Sequence, residues 1–197
     1  MKNNFKLAGV DEVGRGCLAG PVFAAAVILN KNINIKNIKD SKKIPFKRRI
    51  FLSKYIKDNS IYAIGKASVH EIEKINILNA SLLAMKRAIK KLKRKPTIVY
   101  IDGLFAPKNI NIKYKTFVRG DEKIACISAA SIVAKVERDL FMIKLSRKYP
   151  EYQWEKNFGY GTKSHLKGLK KYGLTGHHRK NFKPIHNILL GNKRETQ

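Results

Sequence analysis

Residues 7–16 read LAGVDEVGRG, and this stretch constrains the chain more than any other. Its apolar start, residues 7–10, has the length and content of a short buried strand. The run ends in two adjacent carboxylates, Asp11 and Glu12, and Gly14-Arg15-Gly16 follows after Val13. Carboxylate oxygens are the ligands that hard divalent cations prefer. Glycines on either side of an arginine let backbone approach another molecule and set a guanidinium beside it. Neighbouring side chains on a regular strand point to opposite faces. If both carboxylates serve one site, the strand has to end or twist at Glu12. The competing reading is a charged strand end followed by a turn, and the rest of the chain decides between them.

That remainder reads as one α/β domain. Residues 21–29 (PVFAAAVIL) and 61–68 are further strands. A fourth, 97–101, runs into Asp102-Gly103, and a fifth, edge-like strand over 114–118 leads to Arg119-Gly120-Asp121. An amphipathic stretch follows Pro45 as far as Lys57. A second helix is expected over 75–93, with Leu78, Leu82, Met85, Ile89 and Leu92 on one face. A long helix after Asp121 is expected to bury Ala129, Val133, Val136, Leu140 and Ile143. Thr162 suits the N-cap of a helix to Tyr172, which Gly173 stops. Residues 1–150 are expected to form the core, and 151–197 a basic helical extension packed on it.

The charge balance narrows the partner. There are 42 Lys and Arg against 14 Asp and Glu, a formal charge of +28, which on a chain of 197 residues favours a polyanion. The two cysteines, Cys17 and Cys126, lack metal-type spacing and read as core residues of a reduced, intracellular protein. Asp11 and Glu12 fall where the apolar segment of a secretory leader would lie. The longest uncharged run, 16–30, is shorter than the roughly 20 residues a membrane helix needs. The chain is therefore expected to be cytoplasmic, away from membranes, and monomeric.

Scarce acids make their positions informative. Asp11, Glu12, Asp102 and Asp121 each stand at a strand end or a strand-to-helix turn, where sites form in α/β sheets. Four converging carboxylates repel one another unless divalent cations neutralise them. In outline this is a two-metal site, suited to activating a water and stabilising the leaving oxygen of a phosphodiester.

An ordered set of motifs then resembles bacterial ribonuclease HII, a type 2 ribonuclease H. It comprises Asp11 to Gly16, Asp40-Ser41-Lys42-Lys43, Asp102-Gly103, Gly120-Asp121, residues 128–135 (SAASIVAK), Gly159-Tyr160-Gly161-Thr162, and His178-Arg179 with Phe182 and Pro184. The resemblance covers about residues 7–185. Arg119 stands where the family often has Lys, and Asn181 where it often has Ser. It implies a ribonuclease-H-like mixed β-sheet flanked by helices, with a C-terminal helical extension. It implies Asp11, Glu12, Asp102 and Asp121 as catalytic metal ligands for Mn²⁺ or Mg²⁺, two ions in the active complex. Gly14, Arg15 and Gly16 would read a ribose 2′-hydroxyl, the group that separates RNA from DNA. Tyr160 would pack on the sugar that follows. The substrates implied are RNA–DNA hybrids and duplex DNA containing ribonucleotides, incised on the 5′ side to leave 3′-hydroxyl and 5′-phosphate ends, as in ribonucleotide excision repair. The related ribonuclease HIII carries an extra domain before its catalytic strand, and with the site beginning at residue 11 no such domain is expected here.

Other residues carry less. Lys42 and Lys43 are candidate substrate-binding residues, read either as phosphate contacts or as solvated, with phosphate contact expected for one of them. His70 and His186 read as surface or packing residues, whereas His165 and His178 could support the C-terminal part. Asp139 reads either as a fifth site carboxylate or as a partner of Lys135 one helical turn back. Two other classes compete: a different ribonuclease-H-like nuclease, and a non-catalytic basic nucleic-acid-binding protein. The first leaves Gly14-Arg15-Gly16 with Tyr160 unexplained, and the second leaves the strand-end carboxylates unexplained.

Overall fold

The computed structural model describes residues 6–34 and 45–194. Five strands, β1 (Leu7–Val13), β2 (Val22–Leu29), β3 (Ser60–Ala67), β4 (Ile98–Asp102) and β5 (Lys113–Phe117), form one sheet in the order β3-β2-β1-β4-β5. The first three run antiparallel in sequence, while β4 lies parallel to β1 and β5 parallel to β4. The helices are α1 (Phe46–Asp58), α2 (Val69–Lys91), α3 (Gly120–Lys123), α4 (Ala125–Ser146), α5 (Trp154–Asn157), α6 (Lys163–Tyr172) and α7 (Lys183–Arg194). This is the mixed, helix-flanked sheet the sequence leads one to expect. Among the described residues no helix is long and apolar enough to cross a membrane.

Strand β2 is apolar throughout because both of its faces are covered. Ala24 and Ala26 pack with Ala80, Ala84, Met85 and Ala88 of α2. The alternate residues Ala25 and Val27 pack with Ala129, Ile132 and Val133 of α4 and with Leu52 and Ile56 of α1. Two expectations need correction here. Helix α2 begins earlier than residue 75, at a capping box in which Ser68 and Glu71 exchange hydrogen bonds, and it breaks at Asn76 (φ 65°). Met85, Ile89 and Leu92 are buried as expected, but Leu78 and Leu82 are only half-buried, and the buried seam takes in Ala80, Ala84 and Ala88. The cause is the close approach of α2 to β3, where a Cβ on Gly65 would lie 2.0 Å from the Ala84 carbonyl oxygen. Small residues therefore take the contact line. On α4, Leu140 is 44% exposed, and Arg138 and Met142 are buried in its place.

A third cluster lies beyond the end of β1. Leu18 and Ala19, from the β1–β2 connection, and Met142 meet Tyr152, Trp154, Leu169 and Ile185. The chain after α4 thereby touches the loop that carries Gly14-Arg15-Gly16, and an isolated bridge joins Ala19 to His178.

Candidate active site

The register of the sheet opens the site. β1 pairs with β4 only as far as Val10 opposite Ile101, yet its pairing with β2 continues to Val13 opposite Phe23. Past Val10, β1 therefore has a neighbour on one side alone. The strand does not end at Glu12. Both carboxylates line one pocket, at the edge of β1 that β4 leaves unpaired.

That pocket, of about 290 Å³, is lined by Asp11, Glu12, Asp102 and Asp121 together with Arg49, Ser131, Lys135 and Tyr160. A larger cleft of about 760 Å³ lies at the opposite end of the sheet, but its single acid is Asp58. Chemistry rather than size marks the smaller one. The Asp102 carboxylate accepts the backbone N–H of Gly120 at 2.7 Å and that of Asp121 at 3.4 Å, tying the start of α3 to the end of β4. Asp11 accepts the Glu12 N–H at 2.7 Å and a hydrogen bond from the Ser131 hydroxyl. The Arg15 guanidinium donates to Glu12 Oε1 at 3.2 Å.

Burial above all, and then the charges of Glu12 and Asp102, hold the Asp11 carboxyl well above the ordinary range. Burial also raises Glu12, against the opposing pull of Arg15. Among the described residues no three acidic, imidazole or thiol side chains close around a single point, so the carboxylates line a pocket rather than a cage. The donor set still fits a hard divalent cation. It is all oxygen, it concentrates negative charge in a buried place, and the buried Oε2 of Glu12 has no hydrogen-bond partner among the described residues.

Asp139 lies behind this pocket. It is fully buried, 2.6 Å from Lys135 Nζ and 3.5 Å from the Arg49 guanidinium. The Lys135 pairing expected from helical spacing is present, and it holds two of the pocket's cations in place. Asp121→Asn is accordingly expected to cost far more turnover than Asp139→Asn. Asp139→Asn should appear mainly as a lowered melting temperature, because two cations lose their anion. Parallel turnover and melting curves check this, and the reverse order would move the fourth site carboxylate to Asp139.

Tyr160 stands at the rim, 39% exposed, with Lys135 Nζ 5.8 Å from its ring centroid. Burial pushes its phenol up to about 12, so the ring is uncharged at neutral pH. Its backbone is fixed from below by a histidine relay. The Thr175 N–H donates to His178 Nδ1, which leaves the His178 proton on Nε2 to face His165 Nε2 at 3.1 Å. His165 Nε2 also accepts from Trp154 Nε1, so its own proton sits on Nδ1 and is donated to the Tyr160 carbonyl at 2.9 Å. Burial keeps both rings neutral, with His178 lowered to about 3. His70 and His186 are exposed, as expected. Lys42 and Lys43 lie outside the described residues.

Sequence reading gives no place in the pocket to Arg49, Ser131, Lys135 or Arg138, and pairs Lys135 only with Asp139. Ser131, Lys135 and Arg138 lie on one helical stripe, at spacings of four and three, and that stripe continues to the buried Met142. A polar stripe running into an apolar position is the signal that it faces the protein rather than solvent.

A mixed sheet with acids at the ends of β1 and β4, flanked by helices, defines a ribonuclease-H-like nuclease. Solved structures agree: ribonuclease H2 from Pyrococcus horikoshii superposes with a TM-score of 0.80 at 28% identity, over 95% of this chain and 99% of that one. A family profile described as Ribonuclease HII matches residues 8–185. Among curated proteins, ribonuclease HII of Pelagibacter ubique is 61% identical over 93% of this chain and 98% of its own length. That of Roseobacter denitrificans is 47% identical over 95% of each. The chain belongs to the ribonuclease HII family, hydrolases that cut the RNA strand of RNA–DNA hybrids at internal bonds. The non-catalytic binding protein is thereby set aside.

Proposed function

We propose that this endonuclease incises duplex DNA on the 5′ side of a single embedded ribonucleotide, leaving 3′-hydroxyl and 5′-phosphate ends. The observation that carries this reading is the meeting of four carboxylates in one pocket, with Gly14-Arg15-Gly16 and Tyr160 beside it. Asp11, Glu12, Asp102 and Asp121 would hold two Mg²⁺ or Mn²⁺ ions. When bound, these ions supply an activated water and neutralise charge on the departing 3′-oxygen. Lys135 and Arg49, steadied by Asp139, offer positive charge to the phosphate. Arg15, 48% exposed in its side chain, does the same from the other side while holding Glu12. The backbone of Gly14-Arg15-Gly16 hydrogen-bonds the 2′-hydroxyl, and a 2′-deoxy sugar leaves those groups unpaired at about 1–3 kcal/mol each. The uncharged Tyr160 ring packs on the following deoxyribose, where an added hydroxyl would crowd it.

The test maps the cut. A duplex with one ribonucleotide, labelled at each end in turn, should yield a single break 5′ of the ribonucleotide with the stated termini. Tyr160→Ala should lose the preference for that substrate over a run of ribonucleotides. A break on the 3′ side, or an unchanged preference in the variant, would contradict the assignment of these residues.

A further inference from the structure

Two guanidiniums lie wholly inside the protein, and among the described residues neither has a carboxylate partner. Arg138 and Arg179 are both 0% exposed. A buried cation is costly unless its donors are satisfied, and here backbone carbonyls satisfy them. Arg138 donates from Nε to the Pro21 oxygen, from Nη2 to Ala19 and from Nη1 to Phe158. Arg179 donates from Nε and Nη2 to Gly20, from Nη1 to Arg15 at 2.8 Å, and from Nη2 to Gly14 at 2.7 Å. Its guanidinium carbon sits 5.1 Å from the Phe182 ring centroid. Burial draws its pKa down only to about 10, so it stays charged at neutral pH.

The direction of the last two bonds matters. Across a trans peptide the C=O and the N–H point oppositely, and no described peptide here is cis. With the Gly14 oxygen turned inward to Arg179, the Arg15 N–H points outward. With the Arg15 oxygen turned inward, the Gly16 N–H points outward as well. Both residues are exposed, and neither amide meets an acceptor among the described residues. The result is a pair of adjacent donors facing solvent on the loop that follows Val13 of the pocket and whose Arg15 side chain bonds Glu12, fixed from behind by a residue 164 positions away.

We propose that Arg179 is a positioning residue for ribonucleotide recognition: by grasping the Gly14 and Arg15 carbonyls it presents the Arg15 and Gly16 amides as a preformed donor pair for a ribose 2′-oxygen. This rests on the assignment of Gly14-Arg15-Gly16 as the 2′-hydroxyl reader. Arg179 supplies what that assignment lacks, a reason for the peptides to face the substrate before it arrives. A lysine at 179 keeps the charge but cannot fork to three carbonyls, so it frees the two peptides to rotate.

The test compares the KM for cleavage of a duplex bearing one ribonucleotide with the KI of the same duplex in all-DNA form, used as competitor. In the natural chain KI exceeds KM, because the DNA competitor is held through phosphates alone. In Arg179→Lys the ratio KI/KM should fall about tenfold, roughly what one lost neutral hydrogen bond amounts to, with KI itself unchanged. A merely structural role would weaken both constants together, and that outcome, or an unchanged ratio, overturns the proposal. If Arg179→Lys does not fold, Phe182→Leu, which removes the ring beneath the guanidinium, is measured in the same way. It should lower the ratio with KI kept, and an unchanged ratio there is equally contradictory. A ratio near one in the natural chain would instead overturn the reading of Gly14-Arg15-Gly16 on which the proposal rests.

Discussion

Asp11→Asn is expected to lower cleavage of a ribonucleotide-containing duplex by about a thousandfold or more, some 4 kcal/mol of transition-state stabilisation, while duplex affinity should stay near that of the natural chain. Affinity comes chiefly from Lys and Arg contacts to phosphate, and the formal charge moves only from +28 to +29. The same substitution has a second signature that requires no activity. Burial holds the Asp11 carboxyl above its ordinary value, so between the unfolded and folded pKa the native state binds more protons than the unfolded chain. Stability then falls as pH rises through that window. Below the unfolded value, about pH 4, the cost vanishes. Metal-free Asp11→Asn should therefore melt higher than the natural chain at pH 7, with the difference closing towards about pH 4. Mg²⁺ or Mn²⁺ should raise the melting temperature of the natural chain more than that of the variant. Near-normal turnover in Asp11→Asn, or a lower metal-free melting temperature at pH 7, would place the metal site elsewhere.

Gly14→Ala is expected to be the most damaging change in the recognition loop. Gly14 adopts φ +93°, which L side chains avoid, and a Cβ there would lie 2.1 Å from Arg138 Nε. Arg138 cannot withdraw, because three carbonyls hold its guanidinium. Left-handed strain and overpacking together cost about 2–4 kcal/mol, equivalent to roughly 5–15 °C in melting temperature for a chain of this size. Gly16, two residues on, is the control: nothing lies within 4 Å of its Cβ position and its φ is not in the left-handed region. Gly16→Ala should leave the melting temperature within about 2 °C. Calorimetry of the two variants side by side checks the pair, and equal destabilisation would mean that Arg138 yields.

What the sequence made legible were local features. Apolar runs that stop at acids mark the stretches of β1 and β4 that carry Asp11, Glu12 and Asp102, although β1 itself runs on to Val13. Helical spacing identified the Lys135–Asp139 pair. Contacts between distant parts of the chain were not legible. The parting of β4 from β1 after Val10 depends on register. The alanine seam of α2 depends on how closely that helix approaches Gly65. Nothing in residue identity sets Arg138 and Arg179 apart as buried, because their partners are backbone carbonyls, all but that of Phe158 more than a hundred residues away, and a carbonyl leaves no trace in the sequence. Helical spacing puts Leu140 on the buried face of α4, a place the structure gives to Arg138 and Met142.

Selectivity, on this assignment, comes from backbone that reads a ribose beside a metal-dependent carboxylate pocket. Its most direct test is one cleavage experiment with Mg²⁺ or Mn²⁺ on three matched duplexes, carrying a single ribonucleotide, a run of ribonucleotides, or none. Both ribonucleotide-bearing duplexes should be incised, with the break at the single ribonucleotide on its 5′ side, and the all-DNA duplex should stay intact. Equal cutting of the all-DNA duplex would contradict that assignment.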